Sequence, residues 1–138
     1  MKRMKYLLFL AIAAGTIQAR DAAQVESRTL VRGGSSWNGA ALPAYPQGEP
    51  EITVLKVTIP PKTALPWHQH PFINAGVLIS GELTVETEDH KMLRLEAGDA
   101  LIELVNTWHH GTNTGDVPAE IIVFYAGTKD LPVTLEKQ

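Results

Sequence analysis

The sequence predicts an all-β domain, a single sandwich or barrel of short strands. Two observations carry that expectation. Beyond Pro50, apolar and β-branched segments follow one another at near-regular spacing: "EITVLKVTI", "INAGVLI", "ELTVETE", "KMLRLE", "ALIELV" and "AEIIVFYAG". Between them stand the breakers "PPKTALP", "SG", "DH", "AGD" and "NTWHHGTNTGDVP", and nowhere does an apolar pattern of helical period persist.

Three parts follow in chain order. Lys2, Arg3 and Lys5 precede an apolar run from Tyr6 to Gly15, and Ala19 offers a cleavage point, so residues 1–19 read as a secretory signal peptide. The run meets Thr16, Gln18 and Arg20 before reaching the roughly 20 residues of a membrane span, so no stable membrane anchor is expected after cleavage. The mature chain would then have 138 − 19 = 119 residues, in the periplasm or secreted. Residues 20–50, with "RGGSSWNGAALPAYPQGEP", read as an irregular arm that Trp37 and Tyr45 lay across the domain. Residues 51–138 form the barrel.

Charge and composition narrow the partners. The signal takes three of the twelve basic residues, leaving 9 − 15 = −6, and an acidic chain without a basic run is a poor ligand for nucleic acid. With no cysteine, an exported domain of this size must rely on its core or on a bound ion rather than on disulfides.

Four of the five histidines fall in two pairs, His68 with His70 and His109 with His110. Residues two apart on a strand face the same side, so His68 and His70 can converge on one ion. If the strand continues through Pro71 in register, Phe72, Asn74, Gly76 and Leu78 share that face. Phe72 then lines a pocket, and Gly76 leaves space inside the barrel. His110 points away from His109 and toward solvent if both are extended. His90, in "EDHK", reads as an exposed turn residue.

The stretch "HQHPFINAGVLISG" resembles the first motif of the cupin family, His-x-His, three or four residues, Glu, six residues, Gly, at His68, His70, position 74 and Gly81. "GDALIELVNTWHHGTN" is similar to the second motif through Gly98, His109 and Asn113. The resemblance implies a jelly-roll barrel holding one divalent transition metal (Fe, Zn, Mn or Ni) through His68, His70 and His109. It also implies a homodimer. Three departures stand out. Lys62 occupies a glycine position, Asn106 replaces the glycine of Pro-x-Gly but tolerates positive φ, and Asn74 replaces the glutamate ligand. Three neutral imidazoles leave a divalent ion its full charge, which favours an anionic ligand. Asn74 is then a weak ligand, a neighbour of the ligands, or a plain structural amide.

Glu103 is an acid within the apolar "ALIELV". The ordinary reading turns it outward to solvent. The alternative turns it toward the histidines as acid/base group, partner or replacement ligand. Tyr125 on the last long strand is a second candidate catalytic residue, by a hydroxyl that reaches the metal. The resemblance implies a metal-dependent, dioxygenase-like enzyme acting on a small anionic molecule. The alternatives are a non-catalytic metabolite- or metal-binding protein, and an isomerase, lyase or decarboxylase. A barrel that keeps its histidines without metal is the remaining reading.

Overall fold

The computed structural model describes residues 24–138, so the expected signal peptide lies outside the described residues. Among the described residues there is no helix, and ten strands account for the regular structure. In order they are β1 (Pro50–Ile59), β2 (Thr63–Ala64), β3 (His68–Gln69), β4 (Asn74–Ser80), β5 (Glu82–Thr87), β6 (Met92–Glu96), β7 (Ala100–Ile102), β8 (His109–Asn113), β9 (Ala119–Thr128) and β10 (Leu135–Glu136).

Two antiparallel sheets face each other, as in a jelly roll. One has the order β1-β9-β4-β7; the other runs β10-β3-β8-β5-β6, with β2 also paired to β8. Alternation along the strands sets the core. On β9, Ala119, Ile121, Val123 and Tyr125 point inward while Ile122 and Phe124 are exposed, and Leu83 and Val85 alternate in the same way on β5. With Ile59, Leu78, Leu95 and Leu101 they form one apolar cluster, each larger side chain contributing about 1.5–3 kcal/mol by burial.

Backbone conformation accounts for the motif positions. Gly81 turns the β4–β5 hairpin at φ 72°, and a Cβ there would stand 2.7 Å from the Pro118 carbonyl oxygen. Lys62 and Asn106 adopt φ 57° and 50°, so the left-handed turns survive the loss of both glycines. Asn113 is wholly buried. Its amide N–H groups donate to Ile59 O (3.0 Å), Pro60 O (3.2 Å) and Val117 O (2.8 Å), and its carbonyl accepts from Gly115 N (3.0 Å), tying the loop before β9 to the end of β1.

Four expectations need correction. The strand through Pro71 does not continue in register: β3 ends at Gln69 in one sheet and β4 begins at Asn74 in the other, so the chain crosses between sheets there. Phe72 is buried against Gly127 rather than in a pocket. Gly76 leaves no space, because a Cβ would meet Ile121, Leu101 and the Ile122 carbonyl within 3.3 Å, and so it serves close packing. Tyr45 is 73% exposed and holds nothing down, whereas Trp37 is packed against the core with its backbone N–H donating to Ile102 O at 3.0 Å. The arm thereby runs beside β7.

Candidate metal centre

The two motifs meet because β3 and β8 pair antiparallel with His68 directly opposite His109. His70, two residues after His68, faces the same interior. Ring centroids lie 4.5 Å apart for His68 and His109, 5.0 Å for His68 and His70, and 5.1 Å for His70 and His109. One nitrogen from each ring falls within 4.8 Å of the other two.

Hydrogen bonds decide which nitrogens are free. The Nδ1 atoms of His68, His70 and His109 lie 2.7, 2.9 and 2.7 Å from the carbonyl oxygens of Pro66, Val133 and Thr107. A carbonyl only accepts, so each Nδ1 carries the proton and each Nε2 keeps its lone pair. The Nε2 of His109 is buried without any hydrogen-bond partner. Burial lowers the pKa of all three rings, that of His70 to about 3, so they are neutral near pH 7. Three neutral donors, each oriented by a second hydrogen bond, form the donor set that zinc, iron and nickel accept, and the orphaned lone pair fits such an ion.

Glu103 lies just past β7, one register step beyond the Ala75↔Ile102 pair, and its N–H donates to Asn74 O at 3.0 Å. Contrary to the outward-facing expectation, it is buried, because alternation continues past β7 and takes its side chain inward with that of Leu101. Its Oε2 stands 3.5 Å from His109 Nε2 and has no hydrogen-bond partner. Burial pushes its pKa up to about 7, against the opposing pull of His68. Asn74 is also buried, but its Nδ2 donates to Phe72 O at 3.0 Å, its Oδ1 has no partner, and it does not line the cavity the histidines face.

That cavity, about 180 Å³, is walled mainly by aliphatic side chains such as Val57, Leu83, Val85 and Val123. Exposed Leu55, Pro66 and Glu136 mark its mouth. Its lining residues include Glu103 and Glu136 but no lysine or arginine. Tyr125 lies opposite Asn74 in the β4–β9 register, its ring centroid 5.3 Å from that of His70. Burial and the nearby Glu103 push its pKa up to about 12, so it keeps its proton and can donate it in a hydrogen bond.

Sequence reasoning missed the C-terminal segment. Val133 accepts from His70, Thr134 Oγ1 lies 3.2 Å from the same Nδ1, and β10 pairs with β3. "LPVTLEKQ" carries no chemical motif, and only the alternation of Leu131, Val133 and Leu135 hints at a strand. His110 lies on the opposite face of β8, partly buried against the Trp67 ring at 4.3 Å rather than free in solvent. His90 is exposed in the β5–β6 turn, as expected.

No functionally curated protein matches the sequence. Among solved structures, the fold is similar to an uncharacterized double-stranded β-helix protein from Klebsiella pneumoniae, with a TM-score of 0.55, 21% identity and coverage of 67% of this chain and 88% of that one. It is also similar to the DMSP lyase DddQ from Ruegeria pomeroyi, with a TM-score of 0.53, 26% identity and coverage of 62% and 43%. Oxalate decarboxylase from Bacillus subtilis, a protein with Mn(II) centres, gives a TM-score of 0.53, 26% identity and coverage of 62% and 23%. The match thus spans less than half of either enzyme. The sequence model described as "Cupin domain" matches residues 55–125, over half of the chain, including all three converging histidines. This protein therefore belongs to the cupin family.

Proposed function

We propose that the protein is a metal-dependent cupin in which the Nε2 atoms of His68, His70 and His109 hold one divalent transition ion beside a small-molecule cavity. The observation that carries this reading is the common orientation of the three rings, each giving its Nδ1–H to a backbone carbonyl and leaving its Nε2 free. Bound there, iron, manganese, zinc or nickel supplies Lewis acidity at open positions, and iron or manganese adds redox capacity. The residues of the chain do the rest. Aliphatic walls exclude water, the Tyr125 hydroxyl donates a hydrogen bond to a ligand oxygen, and the lack of lysine and arginine in the lining leaves the ion as the counter-charge for an anion. The substrate is a small organic molecule with an apolar body and one anionic or oxygen-donor end.

The reaction is cleavage of a bond in that molecule, oxidative where the ion is iron. The likenesses to a decarboxylase and a lyase support bond cleavage. Protein loaded with Fe(II) or Mn(II) should consume oxygen or release carbon dioxide with a member of a panel of small carboxylates and diketones, while His109→Ala should not. Absence of turnover with iron, manganese, zinc and nickel forms alike would overturn the catalytic reading and leave a binding protein. The same reading places the chain outside the cytoplasm, on the basic and apolar residues of its first nineteen. It also pairs two copies, because edge strand β1 and its neighbour β9 present Ile52, Val54, Ile122 and Phe124 outward, an apolar face beside an open sheet edge. Light scattering that gave the monomer mass would reject the pairing.

A further inference from the structure

We infer that Glu103 supplies the carboxylate ligand that the first motif places at position 74, so that the acid has moved across the β4–β7 pair to the neighbouring strand end. The inference rests on the three-histidine reading and extends it from three protein ligands to four. Its basis is the relation of the two positions. Ala75 pairs with Ile102, and the next step sets Asn74 beside Glu103, joined by the Glu103 N–H donating to Asn74 O at 3.0 Å. Cross-strand neighbours have Cβ atoms about 4.5–5.5 Å apart on the same face, so a carboxylate at 103 enters the interior beside one that would have come from 74.

The environments of the two side chains then separate their roles. Glu103 lines the cavity, whereas Asn74 does not and its amide group is engaged by Phe72 O. The Oε2 of Glu103 is buried with no hydrogen-bond partner, 3.5 Å from the Nε2 of His109, which is buried and partnerless as well. A partnerless buried carboxylate oxygen is costly in a protein interior unless something compensates it. Two atoms that each bind one ion at about 2.1 Å stand about 3.0 Å apart at a right angle and about 3.6 Å apart at about 120°, a range that contains the observed separation and leaves positions open for a ligand. An ion between these two orphaned atoms satisfies both, and because among the described residues the donor atoms within 4.8 Å of one another are those of the three histidines alone, the Glu103 carboxylate completes the set by a rotation of its side chain. Among the cavity-lining residues the other carboxylate, Glu136, is exposed at the mouth.

The test uses Co(II) alone, added to the metal-free full chain, with affinity read by competition against a chromophoric chelator and coordination read from the d–d absorption spectrum. Glu103→Gln should weaken Co(II) binding by about a hundredfold and change the d–d bands. Asn74→Glu/Glu103→Gln should restore most of that affinity. It also keeps one carboxylate in the interior, so the assignment stays testable if the single variant does not fold. His109→Ala is run alongside. Affinity within threefold of the parent or an unchanged spectrum in Glu103→Gln, with binding lost in His109→Ala, overturns the carboxylate assignment and leaves the histidine centre standing. Unchanged binding in His109→Ala removes the histidine centre and this inference with it.

Discussion

Leu78, Leu95, Leu101 and Ala119, which do not line the cavity, are apolar and at most 3% exposed, and the buried Asn113 on that side has its amide fully hydrogen-bonded. Around the cavity the interior instead holds three imidazoles and a carboxylate, with His109 Nε2 and Glu103 Oε2 buried and unpartnered. The strands are continuous between the two regions, with the same alternation and the same sheets. The contrast shows that one end of the barrel supplies stability and the other carries groups that destabilise the metal-free fold. Substitutions in the two regions should therefore act with opposite signs.

The largest effect belongs to the packed region. Leu78→Ala or Leu101→Ala should cost about 2–5 kcal/mol in urea unfolding while leaving metal bound per folded molecule unchanged. A comparable change in metal affinity would show that the two regions are not independent. Asn113→Ala should cost about 2–3 kcal/mol, because a wholly buried amide that bonds the carbonyls of Ile59, Pro60 and Val117 is removed, and the same unfolding experiment reads it.

The cavity end should respond in the other direction. In the metal-free protein the Glu103 carboxyl holds its proton up to about pH 7 when folded, against 4.5 when unfolded. The folded state therefore binds more protons between those values, and the stability tied to that proton is present below pH 4.5 and lost as pH rises through about 7. Metal-free Glu103→Gln should be more stable than the parent at pH 8, by on the order of 2–3 kcal/mol, and no more stable at pH 4. The lowered histidines act oppositely. Their contribution is present above pH 6.5 and is lost as pH falls, for His70 down to about 3. A Glu103→Gln stability difference that did not change between pH 4 and pH 8 would contradict the burial described for that carboxyl. The smallest effect is expected at the turn of Lys62, where Lys62→Gly removes a left-handed side-chain strain of about 1 kcal/mol, offset by the greater freedom of the unfolded chain. Thermal melting should shift by only a few degrees.

The two regions also differ in how far their sequence could be read. The long strands were legible because β1, β4, β5, β6 and β9 are rich in β-branched and aliphatic residues. β8 was not, since "HHGTN" reads as a breaker and becomes a strand only through pairing with β2, β3 and β5. His68 and His70 could be found from their spacing on one strand, and His109 from the resemblance to the second cupin motif. The direction of Glu103 could not, because strand parity and the left-handed turn at Asn106 left two outcomes open, and only the pairing of Asn74 with the chain beyond β7 decides between them. The hydrogen bond from His70 to Val133 spans 63 residues, which no local pattern announces.

The central claim is that three oriented imidazoles hold one metal ion, and the most direct test is elemental analysis of the protein purified without chelator and after reconstitution, beside His68→Ala/His70→Ala. The account predicts close to one equivalent of a single transition metal in the parent and none in the variant. No metal in the parent after reconstitution, or equal metal in both, would contradict it.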